Sequence, residues 1–186
     1  MISDIKRAKF THYFHVTDLT GDGVITKADY LQAADKVIAT LGLDTASQFA
    51  QMLKAGYEQY WNAITVADKD GNNEVSLEEW IDHFYNLGLN KEMVEAIVIA
   101  RGNMVIQIFD TDRDGKVSKD EWATFFKAVG YPESEYEIAF SKLDTDGSGY
   151  LSQEELNVAG REFFSSDDPD ARGNWIFGDY TKYLND

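Results

Sequence analysis

The sequence predicts an all-α protein of four helix-loop-helix units, arranged as two paired lobes that pack compactly. A twelve-residue acidic pattern recurs four times along the 186-residue chain. Segments between the repeats carry apolar residues at three-and-four spacing, which is typical of amphipathic helices. A hydrophobic content of 44% is enough to bury a core. We expect an amino-terminal pair of units in residues 1–88 and a carboxy-terminal pair, with a packed tail, in residues 89–186.

The clearest repeat runs from Asp110 to Glu121, with acids at its first, third, fifth and twelfth places and Gly115 at the sixth. A calcium ion takes about six to eight oxygen ligands, and a short segment supplies them by winding around the ion. The glycine permits the positive φ of the sharp turn. This spacing is that of an EF-hand calcium loop. An acidic solvated turn is the alternative for one match, but the repetition of the pattern argues against it.

The other three repeats keep this pattern to different degrees. The loop Asp144–Glu155 retains the turn glycine and the final glutamate. The loop Asp18–Asp29 has Thr20 at its third place and an aspartate at its twelfth, and the loop Asp68–Glu79 has Asn73 where the turn glycine is expected. Asparagine tolerates positive φ better than most residues with a side chain, so we expect the latter loop to close.

The candidate ligands follow from the geometry of such a loop: oxygens at the first, third and fifth places, a backbone carbonyl at the seventh and both carboxylate oxygens at the twelfth. In chain order they are Asp18, Thr20, Asp22, Val24, Asp29, Asp68, Asp70, Asn72, Glu74, Glu79, Asp110, Asp112, Asp114, Lys116, Glu121, Asp144, Asp146, Ser148, Tyr150 and Glu155. We therefore expect up to four Ca²⁺ ions. Mg²⁺ does not need a bidentate ligand, so it should compete best in the first loop, where the final residue is the shorter aspartate.

The segments around the loops indicate how the units pair. The eighth place of each of the four loops is apolar, and paired loops should join there by a short antiparallel bridge. A helix is expected from about Thr45 into the second loop, because apolar residues from Phe49 to Ile64 follow helical spacing without a break. A shorter helix should begin at Pro132, which suits a first helical turn. The stretch Asn86–Asn90 should connect the two lobes.

Composition limits the partners. The formal net charge of −16, from 33 acids and 17 bases, disfavours nucleic acids and anionic membranes. The absence of cysteine excludes disulfides and thiolate chemistry. Neither a signal core nor a myristoylation start opens the sequence, and the longest apolar stretch is interrupted by charges. We expect a cytoplasmic monomer with no membrane anchor and no obligate protein partner.

Four EF-hand loops, long amino-terminal helices, abundant aromatic residues and the tail DDPDARGNWIFGDY together resemble the sarcoplasmic calcium-binding proteins of invertebrates. Calexcitin, the calcium-regulated photoproteins and the luciferin-binding proteins are relatives of similar layout. The resemblance implies a compact, cavity-poor cytosolic buffer of calcium and magnesium. The tail has too many apolar side chains for a free end, so we expect it to pack against the helices and cover the cleft between the lobes.

We favour a buffer over a calcium sensor that engages a target protein. Such a sensor opens a methionine-rich groove for a target helix. Only Met52, Met93 and Met104 lie inside this chain, and its apolar surface comes mainly from 10 Tyr, 11 Phe and 4 Trp. Aromatic side chains specify a fixed core better than an adaptable groove.

A photoprotein-like or luciferin-binding carrier is the other alternative. Aromatics such as Tyr57 and Trp122 could line a cavity, although at helical spacing they are more often plain core. The resemblance implies a carboxy-terminal histidine in a photoprotein, whereas the histidines here are His12, His15 and His83. Light emission is therefore disfavoured, and carriage of a ligand stays open. No phosphate-binding loop, zinc-protease motif or cysteine is present, so we expect no enzymatic activity.

Overall fold

A computed structural model describes residues 2–184. Eight α-helices form within this range: α1 Asp4–Thr17, α2 Lys27–Thr40, α3 Gln48–Ile64, α4 Leu77–Gly88, α5 Lys91–Phe109, α6 Lys119–Val129, α7 Tyr136–Leu143 and α8 Gln153–Ser165. The strands β1 Lys116–Ser118 and β2 Tyr150–Ser152 form a small sheet, and 3₁₀ turns occupy Thr65–Ala67, Arg172–Trp175 and Thr181–Tyr183. The all-α fold of helix-loop-helix units is therefore confirmed. None of the described helices is both long and apolar enough to cross a membrane.

The loops pair through their eighth places, as the sequence predicts. Strands β1 and β2 run antiparallel, with Val117 opposite Leu151. Ile25 and Val75 form an isolated bridge, in which each backbone N–H donates to the other residue's carbonyl at 2.9 Å. The first loop therefore pairs with the second, and the third with the fourth.

Three element boundaries differ from the sequence prediction. Helix α3 begins after Ser47, whose hydroxyl accepts from the Ala50 amide, rather than near Thr45. Helix α7 begins only after a separate turn that follows Pro132, so this proline does not lie in the first helical turn. Helix α4 continues to Gly88, which leaves two residues as the connector to α5.

The predicted apolar face of α3 is also narrower than its sequence suggests. Phe49 and Met52 are 41% and 63% exposed, whereas Leu53, Trp61 and Ile64 are buried. The hydrophobic spacing therefore continues beyond the surface that the neighbouring helices cover.

The hydrophobic core is shared between the two halves of the chain. One cluster joins residues of α1 and α4 to Phe163 and Phe164 of α8. The other joins Val37 and Ile38 of α2, and Leu53 of α3, to helices of the carboxy-terminal half. Each cluster thus takes side chains from both sides of the predicted boundary at residues 88 and 89. The division of the chain into residues 1–88 and 89–186 therefore stays a prediction, and it describes how the loops pair rather than two separate cores.

The tail after α8 packs against α1, which confirms the expected docking. Phe177 is buried and stacks on Tyr13, with ring centroids 4.2 Å apart and planes inclined by 8°. The buried ring of His12 bonds through Nε2 to the Phe177 carbonyl oxygen at 2.9 Å. Tyr180 is also buried, at 2% exposure. The tail therefore occupies a fixed position in the core.

A buried lysine holds the same tail. Lys9 is fully buried, and its ammonium donates to the carbonyl oxygens of Glu162 and Ser166 at 3.1 and 2.8 Å and to Asn174 Oδ1 at 3.1 Å. The two carbonyls lie at the carboxy-terminal end of α8, where the helix dipole attracts positive charge. Burial and, secondarily, the neighbouring Lys6 nevertheless lower the pKa of Lys9 to about 7. This side chain therefore joins α1, α8 and the tail.

Candidate metal centres

Three of the four loops gather carboxylates from their first, third and twelfth places. In each group, one oxygen from each residue lies within 4.8 Å of the others. The groups are Asp68, Asp70 and Glu79; Asp110, Asp112 and Glu121; and Asp144, Asp146 and Glu155. Hard oxygen donors in such clusters suit Ca²⁺ or Mg²⁺ better than softer metals. The donor chemistry of the second, third and fourth loops therefore fits the predicted ions.

The aspartate at the first place organises the turn of each loop. In the third loop, Asp110 accepts from the Gly115 amide at 2.8 Å and from the Asp114 amide at 3.1 Å. In the second loop, Asp68 accepts from the Asn73 amide at 2.9 Å. Asn73 has φ of 66°, beside 83° for Gly115, so the predicted left-handed conformation of this asparagine is confirmed. The second loop closes in the same way as the third.

The fifth and seventh places are coupled in every loop. The side chain at the fifth place accepts a hydrogen bond from the backbone amide at the seventh. The pairs and their distances are Asp22 with Val24 at 3.1 Å, Asn72 with Glu74 at 2.7 Å, Asp114 with Lys116 at 2.8 Å, and Ser148 with Tyr150 at 3.4 Å. Ser148 also donates to the Tyr150 carbonyl at 3.1 Å, and that carbonyl is itself a predicted ligand. These contacts define the turn of each loop.

Hydrogen bonds to both oxygens position the carboxylate at the twelfth place of the third loop. Glu121 Oε1 accepts from the Thr111 amide and hydroxyl at 2.6 and 2.7 Å, and Oε2 accepts from the Ser118 amide and hydroxyl, both at 2.9 Å. Burial alone would raise the pKa of Glu121, but these hydrogen bonds lower it on balance. The carboxylate is therefore ionised at neutral pH, as a ligand for a divalent cation must be.

The fourth and second loops repeat this arrangement. Glu155 is held by Thr145 and Ser152, and Glu79 by the Lys69 amide and Ser76. Each glutamate is also the third residue of the helix that leaves its loop and completes a capping box with the serine. The sequence signal for these supporting residues is the Ser-x-x-Glu spacing, which the ligand pattern alone does not include.

The first loop is organised differently. Asp29 is 1% exposed, and its Oδ1 accepts from the Thr20 amide at 3.0 Å and from the Thr20 hydroxyl at 2.9 Å. In the other loops the equivalent oxygen accepts from the residue at the second place instead. Asp18 and Asp22 do not form a three-acid cluster with Asp29 in the part of the chain that the structure describes. Metal binding at this loop stays a prediction.

A cavity of about 140 Å³ lies in the core, between the loop pairs and the tail. Its walls come from six helices and the tail and include Tyr13, Tyr57, Arg101, Trp122 and Tyr131. The family resemblance implies few cavities, so this space is a departure from that expectation. Its position follows from side chains that are far apart in sequence, which spacing along the chain does not reveal.

Comparison with known proteins agrees with this geometry. The family model of an EF-hand domain pair matches residues 104–157. Clytin of Clytia gregaria is 29% identical over 184 residues, which cover 95% of this chain and 88% of clytin. Calerythrin of Saccharopolyspora erythraea is 27% identical, and the alignment covers 88% and 94% of the two chains. The luciferin-binding protein of Renilla reniformis is 28% identical, with 87% of each chain covered.

A solved structure of a calcium-binding protein from Streptomyces coelicolor superposes with a TM-score of 0.70 at 27% identity. The superposition covers 88% of this chain and 99% of that one. The chain therefore contains an EF-hand domain pair and is related to calcium-binding EF-hand proteins. Its homologues include photoproteins, a luciferin-binding protein and calerythrin, which confirms the relatives expected from the sequence.

Proposed function

We propose that the protein is a calcium and magnesium buffer. In the second, third and fourth loops, the ion would be held by the carboxylates at places one, three and twelve of the loop. The side chain at place five and the backbone carbonyl at place seven would complete the site. The first loop would favour Mg²⁺, because the aspartate at its twelfth place, Asp29, is one methylene shorter than glutamate and reaches an ion less easily with both oxygens.

The docked tail is the observation that carries this proposal. A sensor must expose an apolar groove when calcium binds, whereas buffer EF-hands open little. Here Phe177 fills the space between Tyr13 and Phe163, with ring centroids 4.2 and 4.7 Å away. A target helix would have to displace the tail from this position. The closed core therefore supports a protein that binds calcium without presenting a new surface.

Calorimetric titration with calcium, with and without millimolar magnesium, tests the proposal. A buffer should bind at least three calcium ions, with apparent affinity reduced by magnesium. The intact, calcium-loaded chain should bind little of the hydrophobic dye ANS, and a chain truncated before Trp175 should bind more. Strong ANS binding by the intact protein in calcium would instead support the sensor.

Carriage of a small organic ligand is a second candidate function, which the core cavity favours. Ligand pockets usually have volumes of about 300–1,000 Å³. An engineered cavity of about 150 Å³ binds benzene. The cavity here, at about 140 Å³, therefore suits a molecule with one ring better than a luciferin with several.

A further inference from the structure

Arg101 of α5 places a positive charge among the rings that line the core cavity. Its guanidinium carbon lies 5.5 Å from the ring centroid of Tyr13 and 5.9 Å from that of Phe164. Both side chains, like Arg101, are part of the cavity wall. The calcium loops make no use of this arginine.

No acidic side chain within residues 2–184 forms an ion pair with Arg101. Asp29 also lines the cavity, but its oxygens accept hydrogen bonds from Thr20 and Thr26. The nearby tyrosines cannot neutralise the charge, because burial raises the pKa of Tyr30 and of Tyr131 well above their ordinary value. At neutral pH these hydroxyls are uncharged.

A guanidinium in such surroundings is costly unless an anion accompanies it. Ring faces and a hydrogen bond to the Tyr13 side chain offset part of this cost, but neither supplies the negative charge that a carboxylate would bring to the planar fork of donors. Trp122, another wall residue, has a buried Nε1 with no hydrogen-bond partner among the described residues. The cavity wall therefore includes a guanidinium without a carboxylate partner and an indole N–H without an acceptor among the described residues.

We propose that the cavity binds a small organic anion, namely a monocarboxylate with one aromatic or aliphatic ring. The planar guanidinium of Arg101 would hold the carboxylate through two parallel hydrogen bonds. The ring would lie against the aromatic walls, in a space close to that which accepts benzene. This inference rests on the second candidate function and names the class of its ligand, and it is independent of calcium buffering.

Benzoate and benzyl alcohol distinguish an anion site from a merely apolar one. They have nearly the same shape, but only benzoate carries a charge at neutral pH. Titration of the full, calcium-loaded chain, followed by tryptophan fluorescence and calorimetry, should show benzoate binding at least about tenfold more tightly. Equal affinity would overturn the anion site and leave carriage of a neutral ligand standing. Binding of neither compound would overturn both.

Substitution at Arg101 provides the second test. Arg101→Met should lose the preference for benzoate, and Arg101→Lys should keep only part of it, because a lysine lacks the fork of donors. The matched control is Arg161→Met, which removes an arginine paired with Glu95 at the surface and should leave benzoate binding unchanged. Retention of the preference in Arg101→Met would refute the proposal.

Thermal unfolding without ligand separates binding from a structural role. If Arg101 serves to bind an anion, Arg101→Met without ligand should unfold at the same temperature as the wild type or higher, because it removes a charge that has no ion-pair partner among the described residues. Benzoate should raise the unfolding temperature of the wild type only. If Arg101 is instead needed for packing against the rings, Arg101→Met will unfold at a lower temperature, and benzoate will stabilise neither protein.

Discussion

Replacement of Phe177 by alanine tests how much the docked tail contributes to the fold. The side chain is 7% exposed. Its ring stacks on Tyr13 at 4.2 Å and meets Phe163 and Tyr131 edge-on, at centroid distances of 4.7 and 5.6 Å. The substitution therefore removes three ring contacts and leaves a hole beside the core cavity.

The expected loss is about 3 kcal/mol in the free energy of unfolding. Truncation of a buried phenylalanine to alanine typically costs about 3–5 kcal/mol, through lost burial and the cavity that remains. The lower end applies because the tail consists of short 3₁₀ turns outside the α-helices and can shift to fill part of the hole. For a chain of this size, such a loss lowers the unfolding temperature by about 6–12 °C.

Urea denaturation at a fixed, saturating calcium concentration measures this loss, with ANS fluorescence recorded on the folded protein. Phe49→Ala is the matched control, because Phe49 is 41% exposed and its truncation should cost less than about 1 kcal/mol. Phe177→Ala should also raise ANS binding, while the control should not. If the two variants lost equal stability and neither bound more dye, the tail would not be part of the core that closes the protein.

Four further predictions concern the loops and the buried lysine. Glu121→Gln should weaken one calcium site at least about tenfold, because the twelfth carboxylate loses its charge, and calorimetry with unchanged sites would contradict the assignment. Asn73→Ala should weaken calcium binding at the second loop, whereas Asn73→Gly should match or improve it, since φ there is 66°. Asp29→Glu should raise the ratio of calcium to magnesium affinity at the first loop, and an unchanged ratio in a competition titration would argue against the account. The free energy of unfolding of the wild type should rise with pH relative to that of Lys9→Met, by up to about 1.4 kcal/mol per pH unit above pH 7. The reason is that the folded amine, with a pKa of about 7, loses its proton there, while the unfolded chain keeps it up to the ordinary pKa of lysine. Parallel curves of stability against pH for the two proteins would refute the lowered pKa.

Features set by neighbouring residues could be predicted from the sequence. The loop pattern, the bridge between Ile25 and Val75 and the positive φ of Asn73 all depend on spacings within one unit or one pair of units. The threonine at the third place of the first loop is a departure from the ligand pattern, but the contact of Thr20 with Asp29 does not follow from spacing alone.

Features set by long-range packing could not be predicted in the same way. The position of Arg101 in the core cavity depends on helices and a tail that are distant in sequence. The sequence places this arginine between the second and third loops, in a segment expected to be helical, but it does not show what faces the side chain. Similarly, the exposure of Phe49 depends on where the covering helices end. Such contacts follow from the whole fold rather than from any one segment.

The sharing of both hydrophobic clusters between the halves of the chain has a consequence for how the molecule unfolds. Neither loop pair forms a complete core from its own residues. Phe163 of α8 packs in the cluster that contains α1 and α4, and Ile38 of α2 packs in the cluster of the carboxy-terminal helices. The loss of one pair would expose apolar surface on the other, so the two cannot melt separately. We therefore expect the protein to unfold as one cooperative unit, in which an ion bound at any loop would raise the free energy needed to open all of them.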